Sequence, residues 1–182
     1  MSLHRGFFVS VVSFPSARNY HRRVFRIESA TETDLPLVLS FIKELAAYER
    51  LEGEVKATVE DLRETLFSSR CVAHALIARA DDEPAGFALY FFNISTFVGR
   101  RGLYLEDLYV RPQFRRQGLG RQLLARLARI AIDEQCGRME WAVLDWNEQA
   151  LRVYRGIGAQ PMSDWTVQRL TGPALTALAA GA

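Results

Sequence analysis

The order in which hydrophobic patterns follow one another is the feature that most limits the fold of this chain. Apolar segments typical of β-strands come three in succession, over residues 71–80, 86–94 and 103–110. Asp81-Asp82-Glu83-Pro84 has a turn composition and separates the first two, which predicts an antiparallel hairpin. The third segment stops before Pro112, which cannot donate to a strand ladder.

Helical periodicity alternates with strand patterns in the rest of the chain. Apolar residues recur at helical spacing over 35–46 and 119–130. Thr58 followed by Asp61 has the spacing of a capping box, which predicts a second short helix before the three strand segments. The remaining predicted elements are a strand at 24–29, a strand at 139–144, a helix at 147–157 and a last strand at 161–170. This order indicates an α/β (α+β) protein with a mixed sheet and helices on its faces.

The net charge of +2 hides an uneven distribution along the 182 residues. Residues 1–27 contain five arginines and no carboxylate, which leaves 18 of the 23 basic residues and all 21 acidic residues in 28–182, a net charge of −3. We therefore expect residues 1–23 to be a basic N-terminal extension, disordered or loosely attached, and residues 24–182 to form one domain. An added edge strand and a targeting peptide are the alternatives for the extension.

Cysteine and histidine are too few and too scattered for a disulfide framework or a metal site. The chain has two cysteines, Cys71 and Cys136, and three histidines. Free thiols are typical of a reducing compartment, and no apolar run approaches the roughly 18 residues of a membrane span. These observations predict a cytoplasmic protein without a bound metal.

One loop has the composition of a phosphate site. Arg115-Arg116-Gln117-Gly118-Leu119-Gly120 lies between a predicted strand and an amphipathic helix, and Arg121 follows. Glycines allow close backbone approach, the first helical turn presents unpaired N–H groups, and arginine pairs well with phosphate. A tight turn without a ligand is the simpler interpretation, because Gly-x-Gly alone is a weak signal. The loop lacks the Walker and Rossmann signatures.

In this setting, Arg115-x-x-Gly118-x-Gly120 resembles the acetyl-CoA loop of the GNAT N-acetyltransferases. Four further motifs are similar to the diamine (spermidine/spermine) and thialysine acetyltransferases within that family, over roughly residues 24–178. They are Phe41-Ile42-Lys43-Glu44-Leu45-Ala46-Ala47-Tyr48-Glu49, Tyr104-Leu105-Glu106-Asp107, Val143-Leu144-Asp145-Trp146-Asn147-Glu148 and Val153-Tyr154.

The resemblance implies the GNAT fold, with a mostly antiparallel sheet of six to seven strands and a splayed central cleft for acetyl-CoA. It implies a bulge near Glu106 that frees backbone N–H groups for this cosubstrate, and a homodimer. The implied acetyl-CoA-binding residues are Leu108, Tyr109, Val110, Arg115, Arg116, Gln117, Gly118, Leu119, Gly120, Arg121 and Asn147.

The catalytic residues implied by the resemblance are Glu106 and Tyr154. Glu106 would take the proton of the amine through water or hold the ammonium, and Tyr154 would protonate the leaving thiolate after direct attack through a tetrahedral intermediate. From the residues alone, Glu106 fits an exposed strand end, Tyr154 a packing residue and Asn147 a helix cap. Outside the basic extension the one histidine is His74, which fits a core or edge position, and neither cysteine has a histidine partner for an acetyl-cysteine relay.

The same resemblance places the amine substrate at Tyr48, Glu49, Glu106, Asp107 and Trp141. Without it, Tyr48 and Glu49 are an ordinary helix end. The polyamine enzymes carry further acids before the tryptophan of the last strand, where this chain has Asp164. Fewer carboxylates favour a small amine, a diamine or a lysine-like amino acid over spermine.

Three alternatives remain at this stage. The same chemistry would serve a protein amine or an antibiotic as acceptor. A module that binds nucleic acid or an anionic surface would use the basic extension, although no aromatic–basic repeat supports it, and we expect no nucleic-acid or membrane partner. A catalytically silent fold would bind CoA as a sensor.

Overall fold

Five strands form one sheet whose spatial order follows the chain, β1 to β5. The computed structural model describes residues 24–181, so the extension predicted at 1–23 lies outside the described residues. The strands are β1 (Phe25–Ser29), β2 (His74–Ala80), β3 (Glu83–Ser95), β4 (Arg100–Val110) and β5 (Met139–Trp141). The α-helices are α1 (Leu35–Glu49), α2 (Val59–Phe67), α3 (Leu119–Asp133), α4 (Glu148–Gly156) and α5 (Gly172–Ala180).

The sheet is mixed and mostly antiparallel, as the sequence predicts. β1 to β4 pair antiparallel in succession. The Gly137 N–H donates to the Arg101 carbonyl, and the Leu103 N–H donates to the Arg138 carbonyl. Both partners advance along the chain together, so β5 runs parallel to β4.

The prediction of six to seven strands is wrong, because residues 161–170 form no strand in the described part of the chain. Pro161 has no N–H to donate, and the Trp165 N–H closes a turn on the Met162 carbonyl at 3.2 Å. Val167 is 83% exposed, so this segment has no buried face to hold it against a sheet. Helix α5, which follows it, is not anticipated by the sequence patterns.

Two compact units divide the chain, with the boundary between Glu140 and Trp141. The first contains β1 to β4 and helices α1 to α3, and β5 crosses the boundary. The second contains α4 and α5. Within residues 24–181 no helix is long and apolar enough to cross a membrane.

Helices α1 and α2 cover one face of the sheet. Phe41 of α1 stacks on Phe87 of β3 with ring centroids 5.3 Å apart, and Tyr109 of β4 tilts against the same Phe41 ring at 6.3 Å. Leu103 and Leu105 of β4, like Leu76 and Ala78 of β2, are buried outside this cluster, which assigns them to the face covered by α3. Helix α1 therefore lies on the same sheet face as Tyr109.

A salt bridge fixes α1 to the end of β4. The Arg111 guanidinium donates to both carboxylate oxygens of Glu44, at 2.7 and 3.0 Å, and to the Pro84 carbonyl at 3.0 Å. Its Cζ also lies 4.8 Å from the centroid of the Phe41 ring. Ser40 donates to the same carboxylate at 3.0 Å. These bonds are charge-assisted and partly shielded from water, which makes them stronger than an exposed ion pair.

We predict that Glu44→Gln lowers the free energy of unfolding by about 1–3 kcal/mol at pH 7. The hydrogen bonds from Arg111 hold the pKa of Glu44 below its usual value, against the opposing effect of burial. A carboxyl with a lowered folded-state pKa stabilises the fold above its unfolded pKa, and this contribution is lost as the pH falls through the folded value. The difference between wild type and variant should therefore shrink below pH 4.

Urea denaturation at pH 7 and pH 3 measures both quantities. Glu64→Gln is the matched control, because Glu64 is an exposed glutamate on α2. An equal effect of the two substitutions at pH 7 would contradict a stabilising role for the Glu44–Arg111 pair.

Candidate active site

A β-bulge in β4 organises the carboxylates of the first unit. Leu105 lies opposite Tyr90 of β3 and Asp107 lies opposite Leu89, so Glu106 is an extra residue without a cross-strand partner. The bulge implied by the resemblance is thus confirmed. Because of it, Tyr104 and Asp107 lie on the same face although two residues separate them. That face is the one covered by α1.

Asp107 is a half-buried carboxylate in an acidic environment. Burial, followed by the charges of Glu106 and Glu49, raises the pKa of Asp107 to about 6. Burial also raises the pKa of Glu49, the last residue of α1. Among the described residues, no arginine or lysine forms a salt bridge with Asp107. These three residues, Glu49, Glu106 and Asp107, are called the carboxylate cluster below. It has the charge and location to receive a cation.

Arg115 is directed away from the loop to which it belongs. Its Nε donates to the Val110 carbonyl at 2.9 Å. Its Cζ lies 4.6 Å from the Tyr48 ring centroid and 5.6 Å from that of Tyr109. The arginine therefore connects the loop to the end of α1 by cation–π contacts. Tyr48 is thereby placed next to Glu49 as part of the wall of the site.

The loop that follows β4 has the backbone of an anion site. Arg116 and Gly118 both have positive φ, at 60° and 87°, and Gly118 is the N-cap of α3. The first intrahelical bond runs from the Gln122 N–H to the Gly118 carbonyl, so the amides before it are available to a ligand. Apart from the chain neighbours of Gly120 and the backbone of α3 itself, no atom of the described residues lies within 4 Å of where a Cβ on Gly120 would be. This segment, called the cradle below, therefore has the donors to hold an anion such as a phosphate group.

The exposed arginines of the loop add charge to this cradle. Arg116, Gln117 and Arg121 are exposed, Leu119 is buried under the helix, and no carboxylate lies in the first turn of α3. Cationic side chains and the positive end of the helix dipole act in the same direction. The predicted cofactor residues 116–121 thus lie together at the N-terminus of α3.

The predicted amides of β4 point toward one edge of the strand. The Arg111 N–H bonds the Ala85 carbonyl of the β3 side at 3.0 Å. Backbone groups of successive residues alternate in direction, so the N–H groups of Leu108 and Val110 point away from β3, whereas those of Tyr109 point toward it. The Leu108 and Val110 amides are therefore donors on the same side as β5.

The second unit contains the other predicted residues. Asn147 is the N-cap of α4 and its Oδ1 accepts from the Ala150 N–H at 3.2 Å, so the predicted cap is confirmed. Trp141 and Tyr154 contact each other edge to face, with ring centroids 5.1 Å apart. The aromatic contact orients the Tyr154 ring within this unit.

The structure also identifies residues that the sequence patterns did not single out. The Tyr104 ring packs against Phe91 at a tilt, with ring centroids 5.1 Å apart, and the pKa of Tyr104 is raised by burial and then by the charges of Glu106 and Glu140. Within the sequence, the one indication of a role for Tyr104 is its place in the motif that contains Glu106. The sequence gives no such indication for Glu140, because a single acid in a short strand is common on protein surfaces. His74 is exposed and contacts Tyr90 and Phe92.

Comparison with known proteins identifies the family of this chain. The model of the acetyltransferase (GNAT) family matches residues 39–159. The chain is 39% identical over 164 residues to the thialysine N-epsilon-acetyltransferase of Bos taurus, covering 84% of this chain and 96% of that protein. It is 36% identical over 146 residues to the spermidine/spermine N(1)-acetyltransferase-like protein 1 of Homo sapiens, covering 76% of this chain and 21% of that longer protein.

The fold comparison gives the same result. The integron cassette protein VCH_CASS6 from the mobile metagenome of V. cholerae superimposes with a TM-score of 0.70 at 30% identity, covering 85% of this chain and 97% of that one. The family model spans more than half of the chain and includes the loop, the bulge and Tyr154. The chain therefore belongs to the acetyltransferase (GNAT) family and is an acetyl-CoA-dependent N-acetyltransferase.

Proposed function

We propose that this enzyme acetylates the primary amine of a small cationic substrate, a diamine, a polyamine or a lysine-like amino acid. The carboxylate cluster is the observation that carries the proposal: Asp107 is half-buried between two further acids and has no cationic partner among the described residues. A bound ammonium would relieve the repulsion between these groups. The names of the two relatives, thialysine and spermidine/spermine acetyltransferases, support the same substrate class.

Residues 116–121 would hold the diphosphate of acetyl-CoA, and the amides of Leu108 and Val110 would face its acyl-bearing arm. When bound, acetyl-CoA supplies the acetyl group as a thioester. Arg116 and Arg121 would contribute positive charge to the cradle. Arg115 would instead stabilise the loop, through its contacts with the Val110 carbonyl and the Tyr48 ring. Asn147 of the second unit is the remaining residue proposed to contact this cosubstrate.

The carboxylate cluster would bind the substrate as an ammonium and then accept its proton. An amine becomes a nucleophile only after this proton leaves, and a carboxyl whose pKa is near 6 accepts it more readily than an ordinary aspartate. Glu106, at the bulge, is exposed and would pass the proton to water. We assign Tyr154 as the acid that protonates the leaving thiolate, and Trp141 as the ring that orients it.

We also propose a cytoplasmic homodimer whose catalytic domain is residues 24–182, with residues 1–23 as a separate basic extension. The free thiols Cys71 and Cys136 support a reducing compartment. Light scattering of the purified full-length protein tests the assembly, and a monomer at micromolar concentration would contradict it.

Turnover of acetyl-CoA across a panel of amines tests the function directly. The panel contains a diamine, spermidine, L-lysine, thialysine, an aminoglycoside and a lysine-containing peptide. We expect acetylation of the small cationic amines. Acetylation of the peptide or the aminoglycoside alone would contradict the proposal.

We predict that Gly120→Val raises the KM for acetyl-CoA by at least tenfold and leaves the fold intact. The space beside Gly120 is open in the described part of the chain, so the new side chain would obstruct the cradle without displacing a neighbouring element. Steady-state kinetics and a thermal melt measure the two effects. Gly156→Val is a control, since the space beside Gly156 is also open. Equal KM values for the two variants would contradict a cradle at Gly120.

We predict that kcat/KM for the amine falls as the pH drops through about 6, and that Asp107→Asn lowers kcat/KM by about 10- to 1,000-fold and removes this limb. Asp107 must be ionised to attract and deprotonate the amine. The profile is measured from pH 5 to 8, and Asp133→Asn on α3 is the control. A variant that keeps the wild-type limb would show that another group titrates.

Asp107→Asn should also stabilise the folded protein at neutral pH. A folded-state pKa above the unfolded value of 3.8 means that ionised Asp107 costs stability, and that this cost disappears as the pH falls below both values. Allowing for partial exposure, Asp107→Asn should gain about 1–2 kcal/mol at pH 8 and nothing at pH 3.5. Urea titrations at the two pH values measure this gain, and destabilisation at pH 8 would contradict it.

We predict that Tyr154→Phe lowers kcat by about 10²- to 10⁴-fold with little change in the KM for the amine. Removal of the hydroxyl takes away the proton donor but keeps the ring contact with Trp141. Tyr90→Phe removes a hydroxyl elsewhere and is the control. A loss of less than threefold in Tyr154→Phe would exclude Tyr154 as the general acid.

A further inference from the structure

A second group of polar side chains follows the carboxylate cluster along the same face of the sheet. It consists of Arg138 and Glu140, beside β4, and Ser95 at the end of β3. Arg138 Nε lies 2.7 Å from the Glu140 carboxylate, and Arg138 donates to Ser95 Oγ at 3.2 Å. The side chains of Arg138 and Glu140 are 39% and 31% exposed, so a ligand can reach both. We call these three residues the ion-pair subsite.

Glycine at position 102 makes room for this arrangement. A Cβ on Gly102 would collide with Asn93 Oδ1 and lie 3.3 Å from Arg138 Cγ. The φ of Gly102 is not in the left-handed region, so the glycine is needed for space and not for backbone conformation. Asn93 Oδ1 is buried there without a hydrogen-bond donor among the described residues. The sheet face is therefore shaped to let the Arg138 side chain lie across it.

Tyr104 connects the ion-pair subsite to the carboxylate cluster. Its ring lies on Phe91, opposite it in the sheet, and its pKa responds to burial first and then to Glu106 and Glu140. In the register of β4, Tyr104 therefore lies between Gly102, beside Arg138, and Asp107. Arg138 lies beside Gly102, and with the bulge taken as one ladder position Gly102 and Asp107 are about four strand steps apart, roughly 13 Å. The five single bonds from Cα to the amine of a lysine-like side chain cover about 6 Å. The α-carboxylate and one hydrogen bond at each end of the substrate cover about 8 Å more.

The ion-pair subsite differs in charge from the carboxylate cluster. The cluster contains carboxylates alone and suits a single cation, whereas the subsite presents one cation and one anion side by side. An α-amino-acid group has the complementary pair of charges at one carbon atom. A diamine or polyamine would bring an ammonium without a carboxylate and would meet the guanidinium of Arg138 unfavourably.

We propose that Arg138 and Glu140 bind the α-carboxylate and α-ammonium of an amino-acid substrate, whose side-chain amine lies at the carboxylate cluster. The inference rests on the proposed acetylation of a small amine. It makes the pair a specificity determinant that favours a basic amino acid over a diamine of the same length. On binding, the two charges of the substrate replace part of the Arg138–Glu140 contact, so neither side chain is left unpaired.

The test compares two matched pairs of amines on the full-length protein. L-lysine and cadaverine differ by one carboxylate, and thialysine and bis(2-aminoethyl) sulfide differ in the same way. We expect the wild type to prefer the amino acid in both pairs. Arg138→Gln should raise the KM for the amino acids by about 10- to 100-fold and change cadaverine by less than twofold.

Two further variants separate recognition from a structural effect. Arg138→Glu places a second carboxylate in the subsite and should raise kcat/KM for cadaverine while lowering it for lysine, a gain that an unfolded variant cannot show. Glu140→Gln should reduce kcat/KM for the diamines more than for the amino acids, which keep their contact with Arg138. Arg63→Gln, at an exposed arginine paired with Glu32 and Glu60, is the control.

The outcomes distinguish this inference from the function on which it rests. If none of the four amines is acetylated by the wild type, the proposed function itself is wrong. If they are acetylated but Arg138→Gln and Arg138→Glu alter both members of each pair equally, or neither, the proposed function stands and the subsite is excluded.

Discussion

The electrostatic constraint on which the site depends is a half-buried carboxylate without a cationic partner among the described residues. The extra residue Glu106 shifts the pleat of β4 so that Asp107 faces α1, where Glu49 ends the helix. An ordinary fold would neutralise such a carboxylate with arginine, as Glu44 is neutralised by Arg111 one turn earlier on the same helix. The contrast separates a carboxylate used for stability from one whose repulsion is relieved by a ligand.

Two arginines connect α1 to the end of β4 and to the loop that we propose as the cosubstrate site. Arg111 ties the middle of the helix to the end of β4, and Arg115 ties Tyr48, near its end, to the Val110 carbonyl. Both interactions combine a hydrogen bond with a cation–π contact, which fixes a planar guanidinium in direction as well as in distance. The carboxylate cluster and the loop of residues 116–121 thereby share one support within the first unit.

The sequence predicted most elements because their signals are local. The Thr58–Asp61 capping box begins α2 as expected, and the Leu119–Leu127 stripe forms the buried face of α3. The strand at 161–170 was wrong because alternation does not reveal whether a neighbouring strand exists to pair with it. The role of Arg115 was missed for a similar reason: the loop motif says which residues are present, and not that Tyr48 and Tyr109 lie close enough to hold the guanidinium.

The sequence by itself determined the family, the fold class and the chemistry of the site, since ordered motifs and periodicities are properties of the chain. It also separated the net charge of −3 in residues 28–182 from the basic extension. Only the tertiary structure decided that Asp107 is the carboxyl group with a strongly raised pKa. It also decided that Arg115 contacts Tyr48 and Tyr109, whereas Arg116 and Arg121 remain exposed beside the cradle. Desolvation and charge–charge repulsion depend on distances between β4, α1 and residues beside β5, and these distances are fixed by packing and register rather than by sequence spacing.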